Sequence, residues 1–431
     1  MSEDSLPVEL YGTVIGHLYR VNGQPAIEWA PEGLNRWGER SAALSHSLLL
    51  GSKVSSEAVN NFFGALLPEG IWLSRLSTAV GVGERDIVGL FKHVGRDLAG
   101  ALTVGEVQRM NEDPEPLDTA QVRRLLDNAS GFIVGGGGSA LPGYQRKIAL
   151  TRLDGQWASG HGSIASTHIL KPARAEDERA LHCEDYTIAL ARTIGLSNFD
   201  TWVENIGGAP TLVIERYDRK IVGGDVQRLH QEDTAQALSL PWHNDSKFER
   251  YDSRANLRAI AGLLDADRPV FDKGEADVER LLRYITFTVA VGNTDAHAKN
   301  FSIIKPESGR PLLAPLYDAA PISLSYDGRR ELAMLIAGES YQPNVTKDHL
   351  VSEALAWGVS ENRARGIVND TLDHITEATR TVPAHPSIAA QVPGFIRQQS
   401  RNLAAGDPAG IKGAVPPSLI PVIGTPGPAA E

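Results

Sequence analysis

The stretch "VGNTDAHAKNFSII", residues 291–304, ends an apolar helical run and then crowds Asp295, His297, Lys299 and Asn300 into one short loop. The run before it, "DVERLLRYITFTVAVGN", repeats its apolar residues at the three-to-four spacing of a helical face. What lies on either side of this helix and loop decides the fold class.

Upstream, residues 8–30, "VELYGTVIGHLYRVNGQPAIEWA", read as two strands around Asn22-Gly23, a dipeptide that accepts the positive φ of a type I′ turn. From "SSEAVNNFFGALLPEG" to "IVGLFKHVG" the apolar positions take helical spacing, with Ser55 or Ser56 placed to cap and Pro68 and Gly70 as punctuation. The polar stretch "NEDPEPLDTA", residues 111–120, marks a first boundary. Beyond it come a helix in "TAQVRRLLDNA", a glycine run at 135–138 and strands in "KIALTRL", "QWAS" and "THILKP". A helix at 181–194 follows, then two β-rich runs that flank Gly207-Gly208 as a hairpin. After Asp218 the pattern reads as helical almost to the end, through "RANLRAIAGLLD", "KDHLVSEALAWG" and "SENRARGIVNDTLDHITEATRTV". The closing residues 406–431, rich in Pro, Gly and Ala, read as a disordered tail. The expected division is an α+β module over 1–115, a strand-rich segment over 116–218, a helical part over 219–405 and the tail. A ligand cleft is expected where the β-rich and helical parts meet.

Composition narrows the function classes. With 431 residues, 42% hydrophobic and 22% charged, the chain can bury sizeable cores, and no apolar run is long enough to span a bilayer. A membrane protein is not expected. The acidic start "MSEDSLPVELYG" lacks the basic and apolar regions of a signal peptide, so a cytoplasmic protein is expected. The single cysteine, Cys183, excludes an internal disulfide or a thiolate metal cluster, and its helical surroundings make it structural. A net charge of −11 without a basic block argues against direct nucleic-acid binding.

Asp295 and Asn300 are spaced D-x-x-x-x-N, and Asp318 follows in "LAPLYDAAP". In phosphoryl transfer an aspartate takes the proton of the attacking hydroxyl, while an Asn and a second Asp hold metal ions that neutralise the phosphates. The spacing is that of the protein-kinase catalytic loop, although Asn293-Thr294 replace its His-Arg and Asp318 stands outside a DFG. Lys171, at the end of the strand "THILKP", supplies a cation for phosphates, and Glu184 on the following helix is placed to pair with it. Each part alone has an ordinary reading, as a solvated lysine, a flexible glycine linker or a chance pair. Their order of loop, Lys, helix Glu, hairpin, Asp/Asn and Asp is that of a kinase.

The chain resembles the HipA family of serine/threonine kinases, the toxins of bacterial type II toxin–antitoxin pairs. The resemblance runs through "VELYGTVIGHLY", "NNFFGALLPEG", "VGRDLAGAL", "LPGYQRKIAL", "THILKP", "ERYDR", "RLHQED", "NTDAHAKNFS" and "LYDAAP". It implies a bilobal kinase-like α+β fold, with an extra N-terminal subdomain that helps contact the antitoxin. It also implies ATP and Mg²⁺ as cofactors. Asp295 would be the catalytic base, Asn300 and Asp318 the Mg²⁺ ligands, and Lys171 a contact to ATP phosphates. The loop from Leu141 to Lys147 would lie on the phosphate side, with Gly143 permitting backbone approach and Gln145 and Lys147 giving polar contacts. The hinge would present the backbone of Glu215 and Tyr217 to the adenine, and His297 would belong to the ATP-binding set. The implied partners are a HipB-like helix-turn-helix antitoxin, DNA reached mainly through it, and a protein substrate. That substrate would be an aminoacyl-tRNA synthetase such as glutamyl-tRNA synthetase, inhibited to arrest growth and promote persistence.

One position departs from the family pattern. Its regulatory autophosphorylated serine falls here on Ala140, with Ser139 beside it as the candidate. Gln231, Glu232 and Asp233 of "RLHQED" read as a helix-capping segment, and Glu215, Arg216 and Asp218 by themselves as a charged hairpin edge. Two other classes stay open: a catalytically inactive kinase-like binding protein or corepressor, and a metal-dependent hydrolase or oxygenase using Asp295, His297 and either His161 or His168.

Overall fold

The computed structural model describes residues 5–105, 114–129, 141–143, 145–159, 164–173, 178–266, 276–324 and 330–410. The chain forms two compact units, one from Met1–Pro172, Glu204–Ser246 and Ser302–Pro311, the other from Ala173–Val203, Lys247–Phe301 and Leu312–Glu431. The glycine run at 135–138, Ser139, His161 and the tail from 411 onward lie outside the described residues.

The first unit opens with an antiparallel sheet of strands Gln24–Trp29, Thr13–Val21, Leu6–Leu10 and Leu102–Val104, in that spatial order. Two tight turns shape it. Asn22 and Gly23 take φ values of 51° and 78°, as the Asn-Gly signal predicts, and Tyr11 and Gly12 do the same at 50° and 73°. The stretch read as two strands therefore holds most of three, because Tyr11-Gly12 carries no strong turn signature. Val8, Leu10, Ile15 and Leu18 face inward onto helices Ser56–Gly64, Ile71–Val80 and Ile87–Val94. Ser55 caps the first of these by accepting from the Ala58 N–H. Phe63 meets Phe62 and Phe91 edge on, at centroid distances of 5.2 and 5.9 Å, each buried ring contributing about 1.5–3 kcal/mol.

A second sheet in this unit orders strands Glu115–Pro116, Gln156–Ser159, Ile148–Leu153, His168–Pro172 and Ala209–Glu215, with the Glu204–Ile206 end of strand Thr201–Ile206 at its edge. Gly207 and Gly208, at φ 57° and 87°, make the expected hairpin turn. The helical reading after Asp218 is corrected here. Arg219–Val222 and Asp225–Arg228 form a hairpin, and His230–Asp233 pairs antiparallel with Ser302–Lys305. These strands are short and rich in charge, so their alternation was masked by polar residues on both faces.

The second unit is mainly helical, with helices Arg179–Thr193, Leu257–Ala266, Asp277–Val291, Lys347–Ala356, Glu361–Thr381 and Val392–Ala405. Asp277–Val291 is buried along nearly all its last three turns and packs against Glu361–Thr381 and Val392–Ala405. A small hairpin, Glu331–Ile336 with Glu339–Tyr341, departs from the all-helical expectation. Past Ala405 the chain stays tied down to residue 410, where Ala409 and Gly410 donate to the carbonyls of Val345 and Pro343 at 2.8 Å. Cys183 is buried, in keeping with a structural role. Among the described residues no helix is long and apolar enough to cross a membrane.

Candidate active site

In the second unit the helix Asp277–Val291 stops at Gly292, whose φ of 76° lets the chain turn back. The Gly292 and Asn293 N–H groups return to Val289 O and Thr288 O at 3.1 and 2.9 Å, closing the helix end. A Cβ at 292 would also lie 2.2 Å from Ser323 Oγ, so glycine is required there for space as well. The loop then folds on itself. Asn293 Oδ1 accepts from the Asp295 N–H at 3.3 Å, the His297 N–H donates to Asp295 O at 2.8 Å, and the Asn300 N–H to His297 O at 2.8 Å. The Asn300 amide nitrogen donates to Asp295 O at 3.1 Å, which leaves Oδ1 as the acceptor of that side chain.

Contacts from neighbouring segments hold the loop. Ser323 N–H donates to Gly292 O at 2.9 Å, Ala333 N–H to Thr294 O at 3.0 Å, and Tyr317 Oη to Lys299 O at 2.7 Å. The Tyr317 bond joins the segment carrying Asp318 to the segment carrying Asn300. Asp318 is exposed and left-handed at φ 53°, a strained state for a non-glycine residue. Asp295 is exposed too, whereas His297 is buried with its ring edge-on to Phe248 at 5.1 Å. The second unit thus groups Asp295, Asn300 and Asp318 on connected loops and sets His297 into the packing beneath.

The first unit carries the other candidates. Lys171 is buried on strand His168–Pro172 opposite Leu212, and Glu215 stands opposite His168. Gly143 has φ 116°, and a Cβ there would lie 2.7 Å from Lys147 Nζ. The Lys147 ammonium donates to Pro142 O, folding the Leu141–Lys147 loop over itself, while Gln145 is exposed. Tyr217 is half-buried and its hydroxyl donates to Gln231 Oε1; burial and then the Asp218 carboxylate push its pKa far up. Glu184 is buried on helix Arg179–Thr193 of the second unit. Ser139, the candidate autophosphorylation residue, lies outside the described residues.

Two charged clusters in the first unit escaped the sequence reading. Arg216 and Asp218 form a bidentate pair at 2.9 and 2.8 Å, with Arg219, Arg228 and Asp97 around them. The Arg216 and Arg219 side chains are 2% exposed, so this is no charged hairpin edge. Burial works against the Asp218 carboxylate, but Arg216 and Arg219 outweigh it and hold its pKa far below the usual range. Burial and the neighbouring Arg216 pull Arg219 down to about 10. The second cluster centres on Glu232, fully buried against Lys305 Nζ at 3.0 Å and His46 Nδ1 at 2.7 Å. The capping reading of "QED" holds for Asp233, which forms a capping box with Gln236, and fails for Glu232. No sequence signal reveals either cluster, because buried and half-buried positions along "ERYDR" and "HQED" are alike polar or charged.

Among the described residues no group of three or more His, Cys, Asp or Glu gathers to hold a metal. His168 lies on a strand of the first unit with its Nδ1 2.7 Å from Thr167 Oγ1. Asn300 Oδ1 and the Asp318 carboxylate are hard oxygen donors of the kind Mg²⁺ takes.

Comparison with known proteins gives the following. Residues 6–105 match the HipA N-terminal domain, and residues 139–379 match the HipA-like C-terminal domain. The chain is 34% identical to the Y4mE protein of Sinorhizobium fredii, whose name marks it provisionally as a kinase, over 74% of this chain and 78% of that one. It is 26% identical to the serine/threonine-protein kinase toxin HipA of Shewanella oneidensis, over 72% and 73% of the two chains. HipA of Shewanella oneidensis, solved with HipB and operator DNA, matches with a TM-score of 0.73 at 22% identity, over 93% of this chain and 96% of that one. The expected α+β, kinase-like fold is thereby established.

Proposed function

Because the chain belongs to the HipA family, we propose that it is an ATP- and Mg²⁺-dependent serine/threonine protein kinase serving as the toxin of a toxin–antitoxin pair. The observation that carries this reading is the 293–300 loop, which exposes the Asp295 carboxylate and fixes Asn300 beside it through the Asp295 carbonyl. Asp295 takes the proton of the acceptor hydroxyl. Asn300 Oδ1 and the Asp318 carboxylate would hold Mg²⁺, and Lys171 with the Gly143 loop would receive the phosphates. When bound, Mg·ATP supplies the phosphoryl group and the charge neutralisation for its transfer. The backbone of Glu215 and Tyr217 would face the adenine, and His297, buried against Phe248, keeps the loop in shape. Gly143 suits a phosphate-side loop, since its φ of 116° admits no ordinary side chain.

The partners follow the same reading. A HipB-like antitoxin binds the kinase and carries it to DNA, a reading supported by the likeness to HipA solved with HipB and operator DNA, and an acidic chain is no obstacle to it. The substrate is a serine of an aminoacyl-tRNA synthetase, glutamyl-tRNA synthetase being the first to test, with growth arrest in the cytoplasm as the outcome.

The test is transfer of label from γ-labelled ATP by the purified chain to lysate proteins, identified by mass spectrometry. Asp295→Asn is expected to lose at least about a hundredfold in rate, the usual contribution of a positioned general base. Its thermal midpoint should stay put because the side chain is exposed. Labelling by the variant at the wild-type rate would show that Asp295 is not the base.

A further inference from the structure

The segment Arg96–Gly100, within the part matched by the HipA N-terminal domain, grips the chain just after Glu215 and, at Ser166, just before the strand His168–Pro172 that pairs with it. Asp97 Oδ1 accepts from Arg219 Nη2 at 3.0 Å, and its Oδ2 accepts from the Ser166 N–H at 3.2 Å. Leu98 O accepts from Arg216 Nη2 and Arg219 Nη2 at 3.0 and 2.7 Å. Gly100 donates its N–H to Asp218 Oδ2 at 2.7 Å and accepts from Arg219 Nη1 at 2.8 Å. A Cβ at Gly100 would lie 2.8 Å from Gln231 N, so this segment sits directly on the strand His230–Asp233.

The grip reaches the hinge backbone. Ser166, held by Asp97, precedes Thr167, whose carbonyl accepts from the Arg216 N–H at 2.9 Å. Ser166 Oγ also accepts from Arg216 Nη1 at 2.9 Å. Arg216 and Asp218 are buried in this network, while Glu215 and Tyr217, alternate with them along the chain, are half-buried. The Arg219 N–H returns to Arg216 O at 3.1 Å and closes a turn over residues 216–219, so whatever fixes Arg216 and Asp218 fixes the backbone of Tyr217 between them and of Glu215 beside them. Buried charge clusters add little net stability over a well-packed apolar core, and their best-attested use is to specify one geometry.

We propose that Asp97 is a positioning residue through which the N-terminal module sets the hinge backbone at Glu215 and Tyr217, and so the preference of the nucleotide site for adenine; this rests on the kinase reading above. The module is then a working part of the nucleotide site as well as a cover for its sheet. Replacing Asp97 by Asn removes one of the carboxylates facing Arg216, Arg219 and Arg228 and keeps one acceptor oxygen of two, so Arg219 and the Ser166 N–H can no longer both be met there. The hinge loses its reference and adenine recognition weakens. Binding of the triphosphate by Lys171 and the Gly143 loop is left intact.

The test is the ratio of affinities for the fluorescent nucleotides mant-ATP and mant-GTP, with Mg²⁺, in the full chain, alongside a thermal melt. Asp97→Asn is expected to weaken mant-ATP about fivefold to tenfold, the worth of one ordinary hydrogen bond, and to leave mant-GTP within about twofold. Ser166→Ala, which removes only the hydroxyl contact to Arg216, should shift the ratio the same way by about twofold to threefold. A folded Asp97→Asn protein that keeps the wild-type ratio, or loses both nucleotides equally, overturns the proposal. Should Asp97→Asn fail to fold, the Ser166→Ala ratio decides: a shift supports the proposal and an unchanged ratio overturns it. Wild-type protein that binds neither nucleotide removes the kinase reading itself, a result distinct from an unchanged ratio.

Discussion

Replacing Glu232 with Gln tests the second buried charge cluster. Glu232 is fully buried; its Oε1 accepts from the His46 N–H at 3.0 Å and lies 3.0 Å from Lys305 Nζ, and its Oε2 accepts from Ser45 Oγ at 2.5 Å. Burial pushes its pKa up, yet Lys305 and then His46 outweigh that and bring it from 4.5 down to about 2. A fall of that size, at about 1.4 kcal/mol per unit, corresponds to about 3 kcal/mol of stability. Breaking a buried ion pair by removing one partner costs about 3–5 kcal/mol, an independent figure of the same order. The sign follows from the depressed value. The contribution is complete above 4.5, where the unfolded carboxylate is ionised, and fades as pH falls toward about 2, where the folded one protonates. Urea unfolding of both proteins between pH 7 and pH 3 should therefore give a difference of about 3 kcal/mol at neutrality that shrinks on acidification. A difference below about 1 kcal/mol at pH 7, or one independent of pH, would refute the reasoning.

Further outcomes follow from single positions. Gly64→Ala would set a Cβ 2.3 Å from the Trp242 indole, and the overpacking should destabilise by about 1–3 kcal/mol, read as a lowered thermal midpoint. Gly143→Ala combines φ 116° with a 2.7 Å approach to Lys147 Nζ, so mant-ATP affinity should fall while the far-ultraviolet circular dichroism stays that of wild type. His168 and His230 are held neutral, each pulled from 6.5 to about 4, chiefly by burial and secondarily by Arg152 for His168. The unfolded chain takes up those protons first, so stability should drop as pH falls from 6.5 toward 4, and His230→Gln should flatten part of that slope in urea titrations.

Local chemistry made much of the fold legible. Asn22-Gly23 and Gly207-Gly208 turn where their φ freedom predicts, Ser55 caps, and the strand at "THILKP" and the helix ending at Gly292 stand as read. In the candidate site the D-x-x-x-x-N spacing was visible because the loop is contiguous, and its bonds run between near neighbours. The features that escaped depend on distant partners. Arg216 and Asp218 look like a solvated edge until Asp97, Leu98 and Gly100 arrive from more than a hundred residues upstream. Glu232 looks like a cap beside a true one, Asp233, until Lys305 and His46 close around it.

That distance in sequence has a consequence for how the first unit is built. Tyr11 Oη donates to Lys305 O at 2.7 Å and accepts from the His230 N–H at 2.8 Å, while Lys305 Nζ donates to Ala42 O at 2.6 Å. With the Asp97 and Glu232 clusters, these bonds bury charge at the seam between residues 6–105 and the strands that follow the hinge. Cutting the chain after residue 105 would therefore expose more than apolar surface. It would take from Glu232, Lys305, Arg216 and Arg219 the side chains, carbonyls and N–H groups of residues 42–100 that fix them, leaving the pairs Glu232–Lys305 and Arg216–Asp218 on an uncovered sheet without the surroundings that set their geometry. A truncated kinase part beginning near residue 139 should be aggregation-prone or partly unfolded, and adding the 1–105 fragment in trans should restore its solubility. A truncated part that is soluble and cooperatively folded by itself would show that these clusters serve the module alone.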